Sequence, residues 1–347
     1  MFNGKTVIVL GAGASAEVGI PLGREFTRKI ESVLSVRMTD VKIARTGDHL
    51  IIGALEKHAK ENMKIPDLLP YQEACDKIVN AMPLALSIDA FIHGHKKDDL
   101  IEICGKVAIV RCILDAELRS DISVDMSQPG QHINFIRTER SWYSQFWKLL
   151  THEYELDQVA ERLGQLTFII FNYDRCFEHF LHQAVQVYYG VDENNATAVL
   201  ENLTAFHPYG TVGQLPWQAT GNTIDYGSDI SARALLPQAD GIRTYSERVE
   251  EAKTLEEIRS AIQQAYKLVF LGFRFHQQNM KILTPEERGN VLNTFATAVG
   301  ISESNCTILQ EQLTSKFGNR HQNSTVLEPK KDCFQLFDEY WLNFSLK

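Results

Sequence analysis

Short runs of β-branched, aromatic and leucine residues recur along this chain. The clearest are Lys5–Leu10, Leu166–Phe171 and Lys267–Phe273, and Asn305–Leu309 and Ser324–Leu327 are shorter runs of the same kind. A run that is apolar at nearly every position predicts a strand buried on both faces, as in a parallel sheet covered by helices. The pattern therefore predicts a parallel sheet assembled from widely separated parts of the chain.

Helix-start signals lie between these runs. Thr254–Glu257 and Thr284–Glu287 have the Thr-x-x-Glu spacing of a capping box, which satisfies free backbone N–H groups at the start of a helix. In the second box Pro285 suits the first helical position, and Gly300 is a suitable stop. Strands that alternate with helices predict an open α/β sheet.

A long interval, about residues 26–160, breaks this alternation. It contains amphipathic stretches near Ile51–Asn62 and Leu100–Leu118 and no run typical of a buried strand. We expect a mostly helical insertion there. Residues 1–347 then form one α/β domain, with core strands from about 1–25 and 160–347.

Composition and charge limit the classes of partner. Acidic residues outnumber Lys and Arg by 44 to 35, and the net charge of −9 argues against a broad phosphate-binding surface. We therefore expect no direct binding to nucleic acid. No stretch approaches the ~20 apolar residues that span a bilayer, and the first residues lack the pattern of a signal peptide. These features predict a cytoplasmic protein without a membrane segment.

The cysteine spacing argues against a structural metal. The six cysteines are separated by gaps of eight to 130 residues, with no Cys-x-x-Cys pair; they are Cys75, Cys104, Cys112, Cys176, Cys306 and Cys333. Tetrahedral zinc sites usually take their ligands from short paired spacings. We expect mostly buried free thiols and no zinc.

A glycine-rich segment follows the first predicted strand. Gly11-Ala12-Gly13-Ala-Ser15 leads from this strand into a helical pattern. Glycines there permit a sharp turn and let the backbone approach a pyrophosphate, while the following helix start offers N–H groups to the anion. The alternative is a tight strand–helix turn that binds no ligand.

Two further polar positions come where predicted strands end. Asn172 and Asp174 follow the run that ends at Phe171, and His207 lies between a short apolar segment and Gly210. Open α/β sheets bind ligands at the carboxyl ends of their strands. Asn172 and Asp174 also suit a turn that caps a helix over Cys176–His182, and one histidine among eleven is a weak signal.

The glycine-rich segment resembles the opening nucleotide-binding motif of the sirtuin superfamily. The matching residues are Gly11, Ala12, Gly13, Ser15, Gly19, Ile20, Pro21 and Arg24. In that family the segment wraps the phosphates and ribose of NAD, and its Arg lies on a loop over the cofactor. The family's deacylases have Asp-Phe just before this Arg, where this chain has Leu22-Gly23.

Asn172-Tyr173-Asp174 resembles the Thr-x-Asn-Tyr-Asp signature of the same superfamily, with Ile170 in place of Thr. The resemblance implies that Asn172 lies beside the nicotinamide ribose and that Asp174 contacts the carboxamide. Because Asn172 follows a strand end, we expect it to be exposed and its replacement by Ala to leave folding intact.

The family's catalytic base is the His of a His-Gly pair. Here Pro208 and Tyr209 separate His207 from Gly210, so that a rigid alignment places Tyr209 at the base position. We favour His207, because an imidazole titrates near neutrality and a phenol does not.

Two more segments resemble elements of sirtuin-like proteins. Gly272-Phe273 matches a turn on the adenosine side, with Arg274 in place of the usual Ser. Ser87-Ile-Asp89-Ala-Phe91 is similar to an element of the helical module of sirtuin-like effectors, and it also suits an ordinary helix start capped by Ser87.

Together these motifs imply a Rossmann-like open parallel sheet with a large helical insertion. They also imply an NAD+ glycohydrolase that has NAD+ as its substrate. Asn172, Asp174 and His207 would be its catalytic residues. Because no cysteine pair can form the deacylase zinc module, the resemblance favours bacterial anti-phage effectors, which are often homo-oligomers and sometimes act with a partner ATPase. The alternatives are an NAD-dependent deacylase or ADP-ribosyltransferase, and a sensor that binds NAD or ADP-ribose without turnover.

Overall fold

A six-stranded parallel sheet forms the centre of the molecule. The computed structural model describes residues 4–37, 46–124, 130–219, 223–229, 231–243, 252–318 and 324–345. The strands are β1 (Thr6–Leu10), β2 (Leu166–Ile170), β3 (Thr204–Phe206), β4 (Lys267–Leu271), β5 (Asn293–Thr297) and β6 (Ser324–Glu328). Their order across the sheet is β3-β2-β1-β4-β5-β6, and every pairing is parallel. The fold is Rossmann-like, and this prediction is confirmed.

The strand register brings several strand ends to one edge. Leu10 at the end of β1 is level with Ile170 of β2 and Leu271 of β4, and Ile169 is level with Phe206 of β3. The residues that follow these four strands therefore meet at the carboxyl edge. The strand order reverses between β1 and β4, and open α/β sheets bind ligands at such a switch point.

The central strands are buried on both faces, as their apolar runs predict. Ile8 and Leu10 of β1 belong to the core on one face of the sheet, and Val7 and Val9 belong to the core on the other. All four are at most 2% exposed. Each strand thus packs against helices on two sides, which explains why its sequence does not alternate between polar and apolar residues.

Helices occupy the interval between β1 and β2. They are Ala12–Ala16, Arg24–Leu34, His49–Asn62, Leu69–Ala81, Ile88–Gly94, Asp99–Arg119, Trp142–Thr151 and Leu156–Leu163, with a 3-10 turn at Met82–Leu84. The described residues of this interval contain no strand; residues 38–45 and 125–129 lie outside the described part. The helices expected near Ile51–Asn62 and Leu100–Leu118 are present.

The remaining helices of the described residues follow β2. They are Cys176–Tyr189, Glu193–Leu200, Ala232–Ala239, Ala252–Gln264, Gln277–Leu283, Glu303–Phe317, Cys333–Glu339 and Trp341–Ser345. Among all the helices described, none has the length and apolar character needed to cross a membrane.

Three local predictions are wrong. Asn305–Leu309 is not a strand but part of the helix Glu303–Phe317, whose buried face repeats every four residues at Leu309, Leu313 and Phe317. No helix starts at Thr284: the chain there leads into strand β5, which ends at Thr297. Thr254 does not cap a helix either, because the helix already includes Ala252.

The cysteines are free thiols, and all but the half-buried Cys306 are buried. Burial raises the pKa of the Cys112 thiol to about 12 and that of the Cys176 thiol well above its usual range. These buried groups are therefore protonated and poor nucleophiles at neutral pH.

Candidate functional site

Ser15, Asn172 and Asp174 form a buried hydrogen-bonded cluster at the carboxyl edge of β1 and β2. The Ser15 hydroxyl donates to Asp174 Oδ1 at 2.9 Å, and Asn172 Nδ2 donates to Ser15 Oγ at 2.9 Å and to the Gly11 carbonyl at 3.1 Å. Asn172 is only 7% exposed. The expectation of an exposed Asn172 is therefore wrong, because the loop after β2 folds over the turn that follows β1.

Asp174 combines two roles in this cluster. Its Oδ1 accepts from the backbone N–H of Cys176 at 3.2 Å, which forms a turn just before the helix Cys176–Tyr189. Burial raises the pKa of the Asp174 carboxyl, and hydrogen bonds from Cys176 and Ser15 offset only part of that rise. The turn predicted as the alternative to a ligand role is thus present, but the N-cap residue of the helix is Arg175 and it makes no side-chain cap bond. Asp174 Oδ1 is shared between this turn and Ser15.

The turn after β1 packs directly on the turn after β4. Gly11 N donates to Leu271 O at 2.9 Å, and Gly13 N donates to Gly272 O at 3.0 Å. Added Cβ atoms at Gly11 and Gly13 would come within 2.6 and 2.7 Å of Gly272 backbone atoms. The contact between the two turns is therefore enough to require glycine at both positions. The backbone N–H groups of Gly11 and Gly13 already donate hydrogen bonds to carbonyl groups.

The segment that leads from this turn to Arg24 lies against the insertion. Gly19 has a φ of +93°, and the neighbouring Val18 carbonyl accepts from Asp121 N at 3.0 Å. Pro21 is buried, whereas Arg24 is exposed as the first residue of the helix Arg24–Leu34. Arg24 is thus available to an anion, and the structure shows no side-chain contact that fixes its position among the described residues.

His207 follows β3 and faces a carboxylate that the sequence analysis missed. Its Nε2 lies 2.5 Å from Glu178 Oε1, and the two side chains are 16% and 3% exposed. Glu178 belongs to the first turn of the helix that follows Asp174. Because β2 and β3 are neighbours, this helix start lies beside the end of β3.

Tyr209 points toward another part of the molecule. Its hydroxyl donates to Asn279 Oδ1 at 2.6 Å, and its ring contacts Phe171 with 5.8 Å between centroids. Phe171 also contacts Phe273 at 5.0 Å, and Phe273 is only 4% exposed. These aromatic residues form an apolar patch between the ends of β2 and β4, with Tyr209 tied to the helix Gln277–Leu283.

Two contacts of the insertion reach the loop that follows β2. The Tyr173 hydroxyl donates to Asp89 Oδ1, and Arg175 forms a buried ion pair with Glu117. Ser87 caps its helix by accepting from Ala90 N at 3.1 Å, as expected of an ordinary helix start. Asp89, two residues further on, has a second role, because it holds the loop between Asn172 and Asp174.

Trp142, Tyr143, Phe146 and Trp147 are buried packing residues. Trp142 stacks on Phe177 with 5.6 Å between centroids and donates from Nε1 to the Ala14 carbonyl at 2.9 Å. The helix Trp142–Thr151 therefore packs against the glycine-rich turn and helps to fix its position.

The structure thus brings most of the predicted residues to one edge. Ser15, Asn172, Asp174 and His207 share it with the glycines of the β1 and β4 turns. Glu178 was missed, and the only sequence signal for it is an acidic residue four positions after Asp174.

A cleft of about 640 Å³, lined by Lys5, Gln165, Thr204 and Ser260 among others, lies at the opposite, amino edge of the sheet, away from all of these residues.

Comparisons with protein-family models, curated proteins and solved structures find no match for this chain. The geometry of the carboxyl edge and the sequence motifs are therefore the basis for a functional proposal. An amide, a carboxyl, a hydroxyl and an imidazole–carboxylate pair placed together can orient a polar ligand and accept a proton.

Proposed function

We propose that this chain is an NAD+ glycohydrolase. Water would add to C1′ of the nicotinamide ribose as the N-glycosidic bond breaks, giving nicotinamide, ADP-ribose and one proton. The supporting observation is that residues from three separated motifs meet at the carboxyl edge: Ser15, Asn172 with Asp174, and His207. Their resemblance to the sirtuin superfamily supports NAD+ as the ligand.

Each residue has a role consistent with its position. Asn172 would orient the ribose and the attacking water, and Asp174 would hold the carboxamide of the leaving group. His207 would accept the proton from water, directly or through a ribose hydroxyl. Gly11, Gly13, Gly272 and Phe273 would border the dinucleotide, with Arg24 available to its phosphates. Positioning and proton transfer are both strong contributions to catalysis, so loss of either group is expected to be severe.

Product analysis separates this function from its alternatives. Purified protein is incubated with NAD+, and nicotinamide and ADP-ribose are quantified by chromatography; His207→Ala is compared with the exposed control His152→Ala. Equal amounts of nicotinamide and free ADP-ribose, lost only in His207→Ala, support the glycohydrolase. Turnover that requires an acylated peptide indicates a deacylase, and binding without products indicates a sensor; either result contradicts the proposal.

The same resemblance supports a role in bacterial anti-phage defence. In this role a cytoplasmic homo-oligomer, alone or with a partner ATPase, would deplete cellular NAD+ when triggered. We expect light scattering to give a mass that is a multiple of 39.4 kDa. A strictly monomeric protein at micromolar concentration would contradict the oligomeric part of this proposal.

A further inference from the structure

His207 and Glu178 form a short contact between a titratable base and a carboxylate at the carboxyl edge. His207 Nε2 and Glu178 Oε1 are 2.5 Å apart, within the range of a charge-assisted hydrogen bond. Glu178 is held by the first turn of a buried helix and is only 3% exposed. The carboxylate therefore has little freedom to turn away from the ring.

Two buried atoms of this pair have no partner. Among the described residues, neither His207 Nδ1 nor Glu178 Oε2 forms a hydrogen bond of good geometry. Buried polar atoms are nearly always paired, so that an orphaned one at a strand end indicates a place for a ligand or water. His207 thus has one nitrogen held by Glu178 and a second that forms no hydrogen bond of good geometry, with the Asn172 backbone carbonyl close to the ring.

We propose that Glu178 is a positioning residue that holds His207 with Nε2–H directed at its carboxylate and leaves Nδ1 as the proton-accepting atom. A carboxylate only accepts hydrogen bonds, so the neutral ring must carry its proton on Nε2. The catalytic consequence rests on the proposed function. During hydrolysis the proton from water or a ribose hydroxyl would pass to Nδ1, and Nε2–H would stay on the ring and keep donating to Glu178. The added proton would leave to solvent after the products.

The charges around His207 favour its protonated form. Burial is the largest influence and lowers the pKa of His207, but Glu178, Asp174 and the Asn172 backbone carbonyl together more than offset it. The net pKa is raised from 6.5. Because a base must be neutral to act, the ascending limb of the pH–rate profile should lie above pH 6.5. Removing the Glu178 charge should move this limb to lower pH.

A purely structural role for Glu178 makes different predictions. As an acidic residue in the first turn of a helix, it also interacts favourably with the helix dipole. If this were its whole role, replacement would lower stability and leave the tautomer and pKa of His207 unchanged. The state of the His207 ring is therefore the decisive readout.

The test uses ¹⁵N-histidine NMR of the full-length protein, with His207 assigned through His207→Gln. Wild type should show a neutral ring protonated on Nε2, and Glu178→Gln should lower the His207 pKa while keeping this tautomer, since the amide oxygen still accepts. The exposed Glu201→Gln is the control and should change neither. A neutral wild-type ring protonated on Nδ1, or a His207 pKa unchanged in Glu178→Gln, overturns the proposal.

Kinetics then test the consequence for the reaction. Glu178→Ala should lower the plateau rate of nicotinamide release by about 10²–10⁴-fold, the scale of general-base catalysis and of the loss of a histidine's orienting carboxylate, and Glu178→Gln by less. An unshifted ascending limb in Glu178→Gln contradicts the proposal. Should the protein release no nicotinamide at all, the proposed function fails, and the wild-type NMR tautomer still decides the role of Glu178 without any variant that must fold.

Discussion

Removing Glu117 should destabilise the protein strongly, because it would leave a buried cation unpaired. Glu117 accepts from Arg175 N at 3.0 Å, from its Nε at 3.2 Å and from its second terminal nitrogen at 2.5 Å. The guanidinium is only 1% exposed and would keep one acceptor, the Ile224 carbonyl at 2.6 Å. Breaking such a pair from one side costs about 3–5 kcal/mol, a large part of the ~5–15 kcal/mol that stabilises a typical protein.

Thermal and denaturant unfolding of Glu117→Ala measure this cost. At ~2 °C per kcal/mol for a chain of this size, the melting temperature should fall by about 6–10 °C. Glu61→Ala is the matched control: it removes an exposed helical Glu that lies 3.8 Å from Lys57, and it should cost less than about 1 kcal/mol.

A double variant tests the physical reason. Glu117→Leu with Arg175→Met replaces both charges by apolar groups and should recover most of the lost stability, since no charge is left buried. A fall of less than about 2 °C in Glu117→Ala, or a double variant as unstable as the single one, would refute the reasoning.

Three further predictions concern the edge and the turns behind it. Asn172→Ala should lower stability by about 1–3 kcal/mol through the loss of two buried hydrogen bonds; an unchanged denaturation midpoint would argue against this network. His207→Ala should reduce NAD+ hydrolysis by about 10²–10⁴-fold, whereas Tyr209→Phe, which loses the bond to Asn279, should keep most of it; the reverse result would place the base at Tyr209. Burial raises the pKa of Glu17 to about 7, although hydrogen bonds from backbone N–H groups favour its charged form. The folded state therefore binds a proton at Glu17 more tightly than the unfolded state does. The stability that Glu17 contributes should therefore fall as pH rises from about 4.5 to 7, and Glu17→Gln should remove this slope from urea titrations.

The sequence predicts those strands whose environment is apolar on both sides. β1, β2 and β4 are found within the expected runs because nearly all their side chains enter a core. β5 was missed because it contains buried threonines: Thr297 Oγ1 accepts from Gly272 N at 2.8 Å, a tertiary contact with no signature in the sequence. Asn305–Leu309 was wrongly predicted to be a strand, because a short run with β-branched residues also fits a helix with one buried face.

Prediction of the site is limited in the same way, by contacts between distant parts of the chain. Ser15, Asn172 and His207 were found because each follows a strand, and parallel strands share one carboxyl edge. Glu178 was not, because its contact with His207 depends on β2 and β3 being neighbours, which the sequence did not reveal. The burial of Asn172 likewise depends on the turn after β1, more than 150 residues earlier in the chain.

The measurement that tests the central claim most directly is the single-turnover release of nicotinamide from NAD+, with the protein in excess over NAD+. We expect wild type to release one nicotinamide and one ADP-ribose for each NAD+ bound, and His207→Ala to bind NAD+ with similar affinity but release nicotinamide about 10²–10⁴-fold more slowly. Equal rates for the two proteins, or no nicotinamide from wild type that binds NAD+, would contradict the assignment of this edge as an NAD+-cleaving site.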